Sequence, residues 1–416
     1  MGLAVEETVS PRVLAKMVYA GTAAPAFEAA SQALQSLAGL AISEERIRRA
    51  CLHVGVERIE HHQQMQQAFE DKPLPQQIAG KPDDVEPPEI ACVMCDGGRY
   101  QFLDRSLPPK AEASARKGEH WKESRIGLLA SMSGPSHACD PQPTLPPELR
   151  YDAMADKLSE IGRTGRRHDS AAESRADQEL PASRGKGLPG PDLEQRHVVA
   201  SCQSWEDFGP LLASQAWYRG FAAAPRKAFV SDGSSTIEQL QRTHFSHYTS
   251  ILDLLHALSY SLAAARAVNT SEASARDTYN HWAAKIWEGN VDHVIDELTV
   301  YSGKLGPPPE NPRSDDPREV VRTSLVYYEN HAARMDYPSY RRAGLPLTSS
   351  LMESTVKQVS RRVKGTEKFW SSAGGETMLR LRAESLSDDQ PLCHHLQNRA
   401  RHATGTRSYR PKPVYS

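Results

Sequence analysis

The stretch AFVSDGSSTIEQLQRTHFSHYTSILDLLH, Ala228 to His256, decides how the chain is read. Ala228-Phe229-Val230 is a short apolar run of strand type that ends at Asp232, where Gly233 permits a sharp turn. A carboxylate at the end of a buried strand is costly unless it is paired or holds a metal ion. A lone Asp-Gly most often only caps a turn. Weight therefore comes from two further acids in comparable settings, Asp96 ahead of Gly97-Gly98 and Glu353. From Ile251 to Ala265 the spacing of Leu255, Leu258 and Leu262 predicts a helix, with Asp253 and His256 three apart on it.

Outward from that stretch, the chain reads as an α/β protein. Ile90 to Cys95 is an apolar strand that delivers Asp96 into a Gly-Gly turn, and Arg125 to Met132 is a second strand. A helix is expected over Pro147–Ile161, and an amphipathic one over Ser204–Phe221. Residues 163–196 are polar, with almost no large apolar side chain, and read as a disordered insertion. After His256 the pattern is helical to about residue 340, broken by GPPPENPRSDDP.

Residues 1–70 are expected to be helical, with a turn near Gly39 and Ser43 capping a second helix whose first turn holds Glu44 and Glu45. Ile47, Ala50 and Val54 would face inward and Arg46, Arg48 and Arg49 outward, a helix-turn-helix layout that places Arg46 and Arg49 against DNA. Residues 71–89 are rich in proline and charge and read as a linker.

In the segment MESTVKQVSRRVKG, Val356, Val359 and Val363 form one helical stripe and Glu353, Lys357, Arg361 and Lys364 another. The second stripe sets one acid beside three cations suited to a phosphate backbone. From Ser354 to Ser416 there are twelve Lys and Arg against five Asp and Glu, a local net of +7 that ends in a basic tail over 391–416. The whole chain, 416 residues with 50 Lys and Arg against 52 Asp and Glu, is close to neutral, so bulk charge names no partner.

The six cysteines are scattered, as suits a reducing compartment. Cys92 and Cys95 have metal-site spacing but lack a second pair and read as core, and Cys393-His394-His395 reads as surface. No run of eighteen apolar residues is present, so no membrane partner is expected and the location expected is cytoplasmic. Three acids on two strands and a helix suit a pair of Mg²⁺ or Mn²⁺ ions performing phosphoryl transfer on a nucleic acid.

Several stretches carry a family resemblance: MCDGGRYQ (94–101), FVSDG (229–233), ILDLLHALSYSLAAA (251–265), MDYPSYRRAGLPLTSSLMESTVKQVSRRVKGTEKFW (335–370) and LRLRAESLS (379–387). Together they resemble the ISKra-type family of bacterial insertion-sequence transposases. The resemblance implies an RNase H-like mixed-sheet core over 90–256 and 341–390, interrupted by a helical insertion at 257–340 and preceded by a helix-turn-helix-like DNA-binding region. It implies a DDE triad of Asp96, Asp232 and Glu353, which would bind both metal ions. A D-x-x-H signature on Asp253 and His256 would support the site, with His256 as a structural partner of Asp253.

Lys357, Arg361 and Lys364 would contact DNA, and Trp370 would close the core. One departure is Ser234-Ser235-Thr236, which stands where the family carries an aromatic residue after the second Asp-Gly. The expected partners are terminal inverted repeats, target DNA and a second copy of the chain in a bacterial, nucleoid-associated setting. Two other outcomes stay open, a metal-dependent nuclease without strand transfer and a DNA-binding relic without catalysis.

Overall fold

A computed structural model describes residues 9–102, 121–166, 190–365 and 368–402. Its centre is a mixed sheet of six strands: β1 (Ile90–Phe102), β2 (Trp121–Ser133), β3 (Asp192–Ser201), β4 (Arg226–Ser231), β5 (Thr249–Leu252) and β6 (Phe369–Trp370). The order is β3-β2-β1-β4-β5. β2 runs antiparallel to both of its neighbours, β1 and β3, while β4 and β5 run parallel to β1. β6 pairs with the last two residues of β1, beyond the reach of β4.

Strand alternation divides the core in two. Cys92 and Met94 of β1 enter the larger apolar cluster, whereas Ala91, Val93 and Cys95 face the smaller one. The Cys-x-x-Cys pair therefore points to opposite faces of one strand and shares no site. Burial raises both thiols. The smaller cluster is covered by α7 (Ser235–His244) and by α6 (Trp205–Trp217), in which every residue from Leu211 to Trp217 is buried. That helix was expected to be amphipathic; it lies between the sheet and α3 (Glu44–Glu70), so it has little solvent side to be polar on.

The larger face carries α5 (Tyr151–Arg166), α8 (Leu254–Val268), α9 (Glu272–Trp287), α10 (Val291–Leu305), α11 (Pro317–His331), α12 (Tyr337–Arg342) and α13 (Ser350–Val363). Helices α8 to α12 fill most of the span 257–340 that was expected to be helical. The N-terminal α1 (Pro11–Ala23) and α2 (Phe27–Ala38) join the same apolar cluster as the sheet. They are pinned by Arg362, which is buried, donates from Nε to the Gly21 carbonyl at 2.8 Å, and lies 4.4 Å from the Phe27 ring centre.

Several expectations need correction. β1 does not end at Cys95: it runs through Asp96, Gly97 and Gly98 to Phe102. The two glycines serve close approach and not a turn, because a Cβ on either would come within 2.7 Å of Glu123 Oε1 or Ser124 Oγ on β2. Residues 163–196 include the end of α5 and the start of β3, and 167–189 lie outside the described residues. Residues 71–89 hold a short helix, α4 (Leu74–Ala79), whose Gln76 carbonyl accepts from Trp217 Nε1 at 2.8 Å.

α3 spans 27 residues where a short second helix was expected. Ser43 stands at its N-cap position but makes no side-chain cap bond. Ile47, Ala50 and Val54 are buried, with Arg46, Arg48 and Arg49 exposed, as the pattern required.

The C-terminal stretch beyond 390 forms α15 (Pro391–His402) as far as it is described. Ahead of it, α14 (Ser372–Leu386) packs on α3 and β3. Arg58, His62 and Glu384 form a buried ion cluster there, with Arg58 Nε 2.9 Å from Glu384 Oε1. Among the described residues no helix is long and apolar enough to cross a membrane.

Candidate active site

The site begins with register. The last β1–β4 pair is Met94 with Val230, and Asp96 and Asp232 each lie two residues further on. Side chains two apart share a face, and neighbouring strands lie about 4.8 Å apart. Both acids therefore follow side chains of the larger core cluster, on adjacent parallel strands, just where the pairing stops. Asp96 Oδ1 accepts from the Gly97 amide at 2.6 Å, and Asp232 Oδ1 from the Ser234 amide at 2.9 Å. Gly233 takes φ +97°, which the turn after β4 needs.

Glu353 comes to this end of the sheet on the first turn of α13, which crosses β1. A buried carboxylate sets that helix in place. Asp253 is only 1% exposed and lies after β5 as the N-cap of α8, not within a helix that begins at Ile251. Its Oδ1 accepts from the amides of Leu255 and His256 at 2.7 and 3.1 Å. Its Oδ2 accepts from the Ser349 amide at 2.6 Å and from the Ser349 hydroxyl. The carbonyl of Ser349 in turn accepts from the Glu353 amide at 3.3 Å. Asp253 thus ties the start of α8 to the first turn of the glutamate helix.

Electrostatics show which groups sense one another. Burial, then the charge of Asp232, raises the Asp96 carboxyl to about 7, with Glu353 adding to the rise and the Gly97 amide and His256 opposing it. Burial, then Asp253, raises Glu353, against His256, Lys157 and Lys357. His256 Nδ1 stands 3.6 Å from Asp253 Oδ1. Burial works against its charge, yet Asp253, Asp232 and Glu353 raise the imidazole to about 9. Burial likewise works against the Asp253 carboxylate, but His256 and Ser349 hold it at about 2. At neutral pH the structure favours a cationic His256 among the acids.

The five residues Asp96, Asp232, Asp253, His256 and Glu353 thus form one neighbourhood. Lys357 lies one turn beyond Glu353 and is exposed, as is Arg361. Lys364 follows the helix end with Nζ 6.0 Å from the Trp121 ring centre. Arg46 and Arg49 are on the first turn and a half of α3, not on the elements bearing the acids, and Arg49 Nε pairs with Glu45 at 2.8 Å. Trp370 packs against the core, donating from Nε1 to the Val363 carbonyl at 2.8 Å.

Sequence reasoning did not find Ser349, Lys157 or Tyr327. Tyr327 donates to the Asp232 carbonyl at 2.9 Å from a helix 95 residues away. The Thr-Ser-Ser run ahead of the glutamate helix was the one local signal for a cap at Ser349; Lys157 carries none.

Among the described residues no group of three or more His, Cys, Asp or Glu side chains is placed so that it could hold a metal ion as it stands. The donor chemistry nonetheless fits a hard divalent ion, because Asp96, Asp232 and Glu353 offer only carboxylate oxygens. The Asp96 and Glu353 carboxyls are raised by burial first and by neighbouring negative charge second, and a cation beside them would offset both. No protein-family model matches the chain, and no curated protein is significantly similar to it.

Proposed function

We propose that this chain is a DDE-type transposase, a metal-dependent DNA phosphoryl transferase acting at insertion-sequence ends. One observation carries the reading: Asp96, midway along β1, and Asp232, just after β4, each lie two residues past the last pair of these parallel strands, and Glu353 approaches them from a helix packed on β1. A mixed sheet bearing its acids in this way supports an RNase H-like core.

Asp96, Asp232 and Glu353 would hold Mg²⁺ or Mn²⁺. Two such ions supply activation of the attacking oxygen and stabilisation of the leaving one. The chain's own residues do the rest. Asp253 fixes the glutamate helix through Ser349. His256 keeps a positive charge beside the acids and limits their repulsion before metal arrives. Lys357 and Arg361 extend outward from Glu353 along α13 and would meet backbone phosphates. No covalent nucleophile is required, since water and then a DNA 3′-hydroxyl attack in turn. Two DNA ends call for two sites, and so for a second copy of the chain.

The test is cleavage of a duplex carrying the flanking inverted repeat in Mg²⁺ or Mn²⁺, with wild type beside Asp232→Asn. Metal-dependent nicks lost in the variant, together with joined products, are expected. Nicks without joined products would make the protein a nuclease instead. Binding by both proteins with cleavage by neither would leave a DNA-binding relic.

A further inference from the structure

The helical insertion reaches the site through hydrogen bonds as well as apolar packing. Tyr327 on α11 donates to the Asp232 carbonyl at 2.9 Å. Arg334 Nη2 donates to Ser231 Oγ at 2.6 Å and to the Ile251 carbonyl at 3.3 Å. From α12, the Tyr337 hydroxyl donates to the Leu252 carbonyl at 3.1 Å and Tyr340 to the Ser250 carbonyl at 3.3 Å. Most of these acceptors belong to the closing residues of β4 and β5 and to the turn that carries Asp232. Buried carbonyls at the end of a strand need donors from elsewhere, and here the insertion supplies them.

Tyr327 is the most constrained of these donors. Its ring is stacked on Tyr260, with centres 3.7 Å apart and planes 11° from parallel, and meets the His331 ring at 4.8 Å. Helix α11 lies so close to the turn that a Cβ on Gly233 would stand 2.9 Å from His331 Nε2 and 3.1 Å from Tyr327 Cε2. The hydroxyl can aim at little besides the Asp232 carbonyl. A peptide plane held on one side orients the side chain that leaves its Cα, and the Ser234 amide holds that carboxylate from the other side.

We infer that Tyr327 is a positioning residue for Asp232, so that α11 sets the geometry of a metal-holding carboxylate through its main chain. The inference rests on the proposed metal role of Asp232. It makes the insertion a working part of the site: whatever displaces α11 also displaces a metal ligand.

Tyr327→Phe keeps the ring stack and removes one hydrogen bond. The full chain, free of DNA, is titrated with Mn²⁺ and followed by electron paramagnetic resonance, with deuterium uptake measured over residues 231–236. Mn²⁺ affinity is expected to fall about ten-fold, the usual effect of losing an outer-shell partner, and uptake at the Ser234 amide to rise. A purely structural tyrosine would lower the urea midpoint and leave Mn²⁺ affinity untouched, which overturns the inference.

Asp232→Asn is run in parallel. If it binds Mn²⁺ like wild type, the metal reading of Asp232 fails and the inference falls with it. If it loses Mn²⁺ while Tyr327→Phe binds normally, the reading stands and the inference alone is wrong. Tyr260→Leu covers the case in which Tyr327→Phe does not fold: it loosens the Tyr327 ring without touching the hydroxyl, and wild-type Mn²⁺ affinity there would also overturn the inference.

Discussion

Replacing Asp96 with Asn should stabilise the metal-free protein at alkaline pH and, under the proposed function, abolish metal-dependent cleavage. The substitution keeps the side-chain shape and an oxygen for the Gly97 amide, which lies 2.6 Å from Oδ1. It removes a charge that burial, and then Asp232, oppose strongly enough to raise the carboxyl from 3.8 to about 7. A raised value means that the folded chain holds this proton more tightly than the unfolded chain does. The contribution of Asp96 to stability is therefore intact below about pH 3.8 and is lost as pH rises through about 7.

At about 1.36 kcal/mol per pH unit the full shift sets a ceiling near 4 kcal/mol. Partial exposure and screening reduce this to about 1–2 kcal/mol. The assay is urea unfolding in EDTA at pH 4 and pH 8. The two proteins should nearly coincide at pH 4, and the variant should be the more stable by about 1–2 kcal/mol at pH 8. Mg²⁺ should then raise the wild-type midpoint and not that of the variant. A gain at pH 8 that is absent, or equal at both pH values, would refute the burial and negative surroundings of Asp96 from which its metal role is argued.

Glu384→Gln leaves Arg58 without its buried counter-charge and should cost about 3 kcal/mol. Burial opposes the Glu384 charge, but His62 and Arg58 hold the carboxyl at about 2. The deficit, read from urea midpoints, is therefore complete above about pH 4.5 and shrinks as pH falls toward 2. Gly344→Ala forces a side chain onto φ +66° and drives its Cβ into the Pro135 carbonyl, so thermal unfolding should show a loss of about 2–4 kcal/mol. The double variant Lys357→Ala, Arg361→Ala should weaken duplex binding in EDTA and lower the slope of log affinity against log salt by about 2. An unchanged slope would remove this face of α13 from the DNA path.

Local chemistry made part of this arrangement legible. Ala-Phe-Val before Asp-Gly predicts a buried strand that ends on an acid, and the structure places β4 and the Gly233 turn there. The valine stripe on the glutamate helix was also readable, with Val359 and Val363 buried. What failed depended on distant partners. Gly97-Gly98 reads locally as a turn, and only the approach of Glu123 and Ser124 from β2 explains why the strand continues through it. β3 was missed because its first half is polar. Its outer edge is satisfied by Ser387 and Asp388, which bond the Val198 and Arg196 amides at 2.9 Å from nearly two hundred residues away. β5 has four residues, too few to show a period, so Ile251 and Leu252 were assigned to the helix that Asp253 in fact caps.

Charge shows most plainly how far a linear count reaches. The local net of +7 after Ser354 reads as a basic surface. Yet Arg362 is buried against Phe27, Arg380 Nη1 lies 3.4 Å from His62 Nδ1, and Arg399 pairs with Glu57 at 2.8 Å. These arginines fasten the C-terminal helices to the N-terminal ones, and an arginine committed inside the fold releases no counterion from DNA. The cations that matter for a polyanion are those left facing solvent next to the acids, which on α13 are Lys357 and Arg361. In the proposed role their value would lie in position: they begin one helical turn from Glu353, so a phosphate they held would be near the carboxylates. Sequence spacing set Lys357 and Arg361 on one face, where both are exposed, whereas the bulk count beside it includes arginines that serve the internal fastening of the fold.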